Sequence, residues 1–263
     1  MNYFREMKNN KITIVTTFYN AGKYFDLCMN SVLSQKYDNF NWVVIDDASE
    51  DNNFDKIPDR KNIIKIRNRE RKGDALPNTH DALINYCESD SIYVNLDGED
   101  WLINKHVLSY INDFYNKHNC MMVYGQCRWY NPEPQFKRFE EKGLAYPITD
   151  DMFKELRNGL SWPFSHIRTF RAKAYHSIKD QDPNYDCLKD KNGEFLISMG
   201  DVAVMLPVAE IVGYKNIKYN DKVLYVYNRE NELNIDKVHG SSDIQSKNHL
   251  EVNSKPKFKQ IFF

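Results

Sequence analysis

Three short apolar runs, each stopping abruptly at polar or acidic residues, constrain this chain more than any other feature. They are residues 11–17 (KITIVTT), residues 41–45 (NWVVI, stopping at Asp46 and Asp47) and residues 91–96 (SIYVNL, stopping at Asp97). Continuous β-branched runs of this length read as strands buried on both faces. Between the first two, Phe25, Leu27, Cys28, Val32 and Leu33 recur at helical spacing, so the unit is β-α-β. Residues 62–66 supply a further strand and residues 74–87 a further helix before the run at 91–96. Strands alternating with helices dictate an α/β fold with a mostly parallel central sheet flanked by helices. A length of 263 residues fits a single domain.

Beyond Asp100 the pattern loosens. It predicts a helix over 104–118, a strand over 121–129, a loop broken by Pro132 and Pro134, a strand over 165–170, an amphipathic helix over 200–212 and a last strand over 223–227. Residues 1–10 read as a polar N-terminal tail, 11–229 as the folded domain and 230–263 as a polar C-terminal tail. Lys plus Arg (36) and Asp plus Glu (37) nearly cancel, so no global field directs the chain to nucleic acid or an anionic membrane. Nucleic acid stays open only as an acceptor. Five widely spaced cysteines with no CxxC pair read as reduced thiols rather than zinc ligands. No run approaches the ~18 apolar residues of a membrane span, and the first ten residues lack an apolar leader core, so a soluble, cytoplasmic protein is expected.

In an open parallel sheet, ligands bind at the carboxyl ends of the strands. Here those ends carry Thr17-Phe18-Tyr19-Asn20, Asp46-Asp47 and Asp97-Gly98-Glu99-Asp100. Three carboxylates within four residues repel one another unless a cation sits among them, and hard oxygen ligands suit Mg2+ or Mn2+ carrying a substrate diphosphate. An isolated DGED is more often an acidic turn before a helix; its place after a buried strand favours the ligand reading. Neither GxGxxG nor GxxxxGK[ST] occurs, which counts against dinucleotide oxidoreductases and P-loop enzymes and leaves a metal to manage the diphosphate.

Taken in order, these residues resemble the inverting family 2 glycosyltransferases of GT-A (Rossmann-like) fold. ITIVTTFYNAGKYFDLCMNSVLSQKYDNFNWVVIDDASEDN is similar to that family's opening segment. The resemblance implies that Thr17, Tyr19, Asp47 and Ser49 contact the base and ribose of a nucleotide-sugar donor, UDP being the commonest nucleotide in the family and dTDP and GDP remaining open. NLDGEDWL is similar to the family's form of the DxD motif, which places Asp97 and Glu99 at the donor and metal positions with Asp100 as a neighbouring candidate. ISMGDVAVMLPVAEIVG resembles the helix start that carries the catalytic base, matching Asp201; an aspartate there also suits a helix N-cap. His166 and Arg168 fall on the acceptor-side strand, where they would meet the diphosphate or the acceptor, and His239 would complete the metal site or close over the donor from the C-terminal segment. The close match runs over residues 11–101, the nucleotide-binding half, with 102–229 as the acceptor-side half.

Two departures stand out. Glu99 replaces the usual aspartate, and where the family often has ARN this chain has Leu76-Pro77-Asn78, keeping Asn78 and leaving Lys72 as a substitute for the arginine. The sequence leaves three other readings: a nucleotidyltransferase, though TTFYNAGKYF is no Gly-rich triphosphate loop; a nucleotide-sugar-binding module without turnover; and a retaining GT-A transferase. The acceptor is a glycan or another hydroxyl-bearing molecule.

Overall fold

The computed structural model describes residues 8–130, 139–142, 145–158, 162–230, 242–261 and 263. The three constraining runs form β1 (Ile12–Phe18), β2 (Phe40–Asp46) and β4 (Ile92–Asn95), with β3 (Ile63–Arg67) beside β2. All four are parallel, and Ile12 of β1 sits level with Phe40 of β2 and Ile92 of β4. Helix α1 (Tyr24–Leu33) connects β1 to β2, and α2 (Ala75–Tyr86) connects β3 to β4.

The second half extends the same sheet. Strand β5 (Trp101–Leu102) and helix α3 (Val107–His118) precede β6 (Met122–Tyr130) and β7 (Phe139–Lys142). Short helix α4 (Asp150–Lys154), strand β8 (Thr169–Arg171) and helix α5 (Ala172–His176) lead to α6 (Gly200–Val212), β9 (Ile217–Asn228) and α7 (Ser242–Ser254). The sheet order is β3-β2-β1-β4-β8-β6-β9-β5, with β7 on β6. Strand β8 lies antiparallel between β4 and β6, so β6 and its partner β9 run in the same sense as the first four strands.

Both faces of the sheet are covered, which is why the runs are apolar without alternation. Ile12, Ile14, Trp42 and Val44 face a core shared with Phe25, Val32, Leu108 and Ile111 of α1 and α3. Val15, Val43 and Ile45 face Leu76, Leu83, Ala174, Leu206 and Val208 of α2, α5 and α6. All five cysteines are buried and free. No helix among the described residues is long and apolar enough to cross a membrane.

Three readings of the second half change. The strand expected over 165–170 is confined to Thr169–Arg171; residues 165–168 bend and keep single backbone bonds to the sheet, the Arg168 carbonyl accepting the Asn95 amide at 3.2 Å and the Ser165 carbonyl the Gly125 amide at 3.4 Å. Helix α6 is not amphipathic: every residue from Val202 to Val212 is buried. The cause is the C-terminal stretch read as a polar tail. It folds into α7 and a following segment in which Val252 and Phe258 join the α6 core, and the Ile261 amide donates to the Ile211 carbonyl at 2.8 Å. A helix apolar on all sides needs cover on all sides, and this segment supplies it. The loop expected around Pro132 and Pro134 lies outside the described residues.

Candidate nucleotide-sugar site

The carboxyl ends of β1 and β2 are laced together by short polar bonds. Asn20, in the left-handed region at φ 48°, donates its amide to Ser49 Oγ at 2.9 Å and accepts the Glu50 amide at 2.8 Å. Ser49 in turn donates its own amide to Asp46 Oδ1 at 2.8 Å, while Asp46 Oδ2 pairs with Arg67 Nε at 3.0 Å. The side chain of Ser49 is thus part of the turn that holds the two strand ends in register.

Asp47 is buried and its oxygens are heavily used. Oδ1 accepts from Asn68 Nδ2 (2.7 Å), Asn78 Nδ2 (2.9 Å) and the Lys72 amide (3.0 Å), and Oδ2 accepts from the Gly73 amide at 3.3 Å. Asn78, also buried, completes the triangle by accepting from Asn68 at 2.8 Å. This network folds the 68–73 loop over the strand ends. Lys72 contributes through its backbone, and its ammonium pairs with Asp81. The cation beside the half-buried Tyr19 is Arg71, with its guanidinium carbon 3.8 Å from the ring centroid. The sequence pointed to Lys72 in this loop; the cation that stacks on Tyr19 is its neighbour Arg71 in the same RERKG stretch.

The third strand end is shaped by close approach. The Gly98 amide donates to the Thr17 carbonyl at 3.1 Å, and a Cβ on Gly98 would stand 2.3 Å from Phe18 Cβ. Only glycine allows the DGED turn to press against β1 here. Asp97 and Glu99 are half-buried, and Asn95 Nδ2 donates to Asp97 Oδ1 at 3.2 Å. Burial pushes the Asp97 carboxyl above its ordinary range, with Arg168 opposing and Asp201 reinforcing the shift. Burial, followed by the Asp97 charge, pushes Glu99 up to about 7. Asp100 is fully buried, and burial with the charges of Asp97 and Glu99 raises it well above the carboxylate range. Both of its oxygens are committed to β9: Oδ2 accepts from the Tyr225 hydroxyl and Oδ1 from the Asn228 amide, each at 2.7 Å. Asp100 therefore anchors the turn, leaving Asp97 and Glu99 as the carboxylates open to a cation.

The second half brings a charged pair to this turn. Arg168 Nε donates to the Phe164 carbonyl at 3.0 Å and Nη2 to Asp201 Oδ2 at 2.7 Å. Asp201 lies in the first turn of α6, whose N-cap is Met199, so the aspartate does not cap the helix; its charge still suits the helix N-terminus. Asp74 fixes that approach. It caps α2 through the Leu76 amide at 3.0 Å and accepts the Ser198 amide at 2.9 Å, joining α2 to the loop before Asp201. His166 stacks on Tyr225 at 4.5 Å and on Tyr227 at 5.5 Å, and burial, then the Arg168 charge, holds its imidazole well below the ordinary value. The structure thus gathers Asp97, Glu99, Arg168, Asp201 and His166 on one side, and Thr17, Tyr19, Asp47, Ser49 and Asn78 on the other. His239 lies outside the described residues. Among those residues, no group of three or more His, Cys, Asp or Glu side chains is arranged to hold a metal by itself.

Known proteins resemble this chain in sequence and fold. The family model described as glycosyl transferase family 2 matches residues 13–179. A teichoic acid poly(glycerol phosphate) polymerase of Staphylococcus epidermidis is 32% identical over 114 residues, which cover 41% of this chain and 15% of the polymerase. Glycosyltransferase GlyG of Streptococcus pneumoniae is 34% identical over 67 residues, covering 24% of this chain and 22% of GlyG. Among solved structures, S. aureus TarS 1-349 in complex with UDP-GlcNAc superposes with a TM-score of 0.59 at 17% identity, covering 86% of this chain and 60% of that 1-349 chain. The mannosyltransferase PcManGT of Pyrobaculum calidifontis, in complex with GDP-Man and Mn2+, gives 0.50 at 15% identity, covering 82% and 56%. The chain thus spans less than two thirds of each of these proteins, and the structural likenesses establish the GT-A fold. With the family model matching well over half of its length, the chain belongs to glycosyl transferase family 2.

Proposed function

We propose that this protein transfers a sugar from a nucleotide-sugar donor, a UDP-sugar, to a hydroxyl group of a glycan or similar acceptor, with inversion at the anomeric carbon. The observation that carries this reading is the meeting of Asp97, Arg168 and Asp201 where β4 ends and α6 begins, beside the loops that close β1 and β2. Residues 11–101 serve as the nucleotide-binding half: Tyr19 and Arg71 flank the base, and Thr17 and the Asp47, Ser49 and Asn78 network shape the ribose side. Residues 102–229 serve as the acceptor-side half. The UDP and UDP-GlcNAc complexes of TarS, a protein of the same fold, favour UDP among the nucleotides.

Asp201 acts as the base. The acceptor oxygen forms a bond to the anomeric carbon while the bond from that carbon to the diphosphate oxygen breaks, the electron pair leaving with the nucleoside diphosphate. The acceptor proton passes to Asp201. Arg168 and the neutral His166 line the path of the departing diphosphate, where a guanidinium offsets growing negative charge.

The donor set of the DGED turn fits a divalent cation. Asp97 and Glu99 are held together against their mutual repulsion, and Mg2+ or Mn2+ typically takes one or two carboxylates and completes its shell with substrate phosphates. When bound, such an ion supplies charge neutralisation to the leaving diphosphate. A thermal-shift and calorimetric screen of UDP, GDP, dTDP and their sugars, with and without Mn2+, tests the proposal. Cation-dependent binding of one nucleotide sugar, lost in Asp97→Ala, is the expected result; no binding by any of them refutes it.

A further inference from the structure

We infer that Arg168 is a positioning residue whose guanidinium exchanges between Asp201 and the diphosphate of a bound nucleotide, so that the base is freed only in the donor-loaded enzyme. The inference rests on the reading of this site as a nucleotide-sugar site, and adds to it a coupling between donor entry and the base.

The geometry is that of an anchored arm with an exchangeable hand. Arg168 Nε is fixed to the Phe164 carbonyl at 3.0 Å, Nη2 holds Asp201 Oδ2 at 2.7 Å, and Nη1 has no hydrogen-bond partner among the described residues. The arginine side chain is 13% exposed and the aspartate 31%, so the pair sits at the wall of the site rather than in the core or in bulk water. While Nη2 occupies Asp201 Oδ2, that oxygen is turned to the guanidinium and not to an acceptor hydroxyl.

A diphosphate changes the competition. It carries more negative charge than one carboxylate and presents paired oxygens that match the guanidinium fork. Asp97, at the proposed diphosphate position, already feels the Arg168 charge, so the hand is within electrostatic reach of the incoming group. Transfer of Nη2 from Asp201 to the diphosphate requires no movement of the Nε anchor. Asp201 then faces the acceptor uncompensated, and donor binding has displaced one ion pair.

That displaced pair is measurable in equilibrium binding. UDP, with Mn2+ present throughout, is titrated into the wild type, Asp201→Asn, Arg168→Gln and the double variant, each checked for an intact melting transition. If Asp201 competes with the diphosphate for Arg168, Asp201→Asn tightens UDP by about fivefold in the wild-type background. In the Arg168→Gln background the same substitution leaves UDP affinity unchanged. A gain of equal size in both backgrounds would be plain repulsion between Asp201 and the diphosphate, and would overturn the coupling. So would unchanged or weaker binding to Asp201→Asn. If Arg168→Gln fails to fold, Arg168→Lys, which keeps the charge but loses the fork, takes its place and must show a smaller gain. Absence of UDP, GDP or dTDP binding to the wild type would remove the functional reading and this inference together, whereas binding without the coupling would remove the inference alone.

Discussion

Asp74 accepts the Leu76 amide through one oxygen and the Ser198 amide through the other, so one side chain both starts α2 and sets the loop that delivers Asp201. Ser198 itself is in the left-handed region at φ 66°, which the bond from Asp74 helps to hold. Replacing Asp74 with alanine removes a cap and the inter-element tie at once. A loss of about 1–2 kcal/mol in urea unfolding is expected, with a larger proportional fall in kcat than in donor affinity, because the base moves and the nucleotide half does not. Asp74→Asn, which keeps one acceptor, should retain most of both. Equal losses of kcat and donor affinity in Asp74→Ala would refute the positioning role.

Gly98 meets β1 more closely than any side chain allows, with its virtual Cβ 2.3 Å from Phe18 Cβ. The obstructing atom is the first carbon of a buried side chain and cannot swing aside. Gly98→Ala is expected to cost about 1–3 kcal/mol through overpacking and to displace Asp97 and Glu99 together, weakening Mn2+-dependent UDP binding. Gly193, where an added Cβ would meet nothing within 4 Å, provides the contrast despite its φ of 83°: Gly193→Asn should leave UDP binding as it is. Unimpaired Mn2+-dependent binding in Gly98→Ala would contradict this account.

The raised carboxyl of Glu99 has a defined sign in stability. Its ordinary value is 4.5 and its value in the fold is about 7, so between those limits the folded protein keeps a proton that the unfolded chain gives up. That contribution is fully present below the lower value and is lost as pH rises through the upper one. Glu99→Gln removes the penalty, so it should melt with the wild type below about pH 4 and above it at pH 8. The lowered histidines, His80, His118 and His166, contribute the opposite slope, but they are shared by both proteins and cancel in the difference. A pH-independent difference would show that Glu99 is not desolvated as described.

The first half of the fold was legible because β1, β2 and β4 are largely buried and stop at polar or acidic residues. The candidate site residues were chosen from those ends for the same reason. Sequence alone could not tell a carboxylate that awaits a ligand from one already satisfied by the protein. Asp100 is consumed by Tyr225 and Asn228, residues 125 and 128 positions away. The pairing of Arg168 with Asp201 likewise spans 33 positions and leaves no local pattern. In the second half, Asn, Lys and Ser between residues 230 and 263 suggested a solvated tail, although Val252, Phe258 and Ile261 were present to anchor it. The apolar run around the whole of α6 was the overlooked signal, since a helix without a polar face requires a second cover.

That cover is bolted on by Arg157 and Glu210. Glu210, 4% exposed within α6, receives Arg157 Nε at 2.6 Å and Nη2 at 2.8 Å, together with the Phe258 amide at 2.9 Å. Arg157 Nη1 also donates to the carbonyls of Val252 (2.8 Å) and Lys255 (3.0 Å), closing the end of α7. One guanidinium therefore neutralises a buried carboxylate and satisfies the helix carbonyls that α7 leaves open. Removing it strands the carboxylate, and the loss of one partner of a buried pair costs about 3–5 kcal/mol. Arg157→Ala should accordingly lower the melting temperature far more than Lys154→Ala, whose pairs with Asp150 and Asp151 are exposed. Glu210→Gln, which keeps the shape and most of the hydrogen bonds, should fall between them. In hydrogen exchange, Arg157→Ala should expose the amides of α7 and of residues 255–261 before those of β1 to β4, because the strap detaches from a sheet that has its own core. Loss of protection in all elements at the same rate would mean that the C-terminal segment and the sheet unfold as one unit.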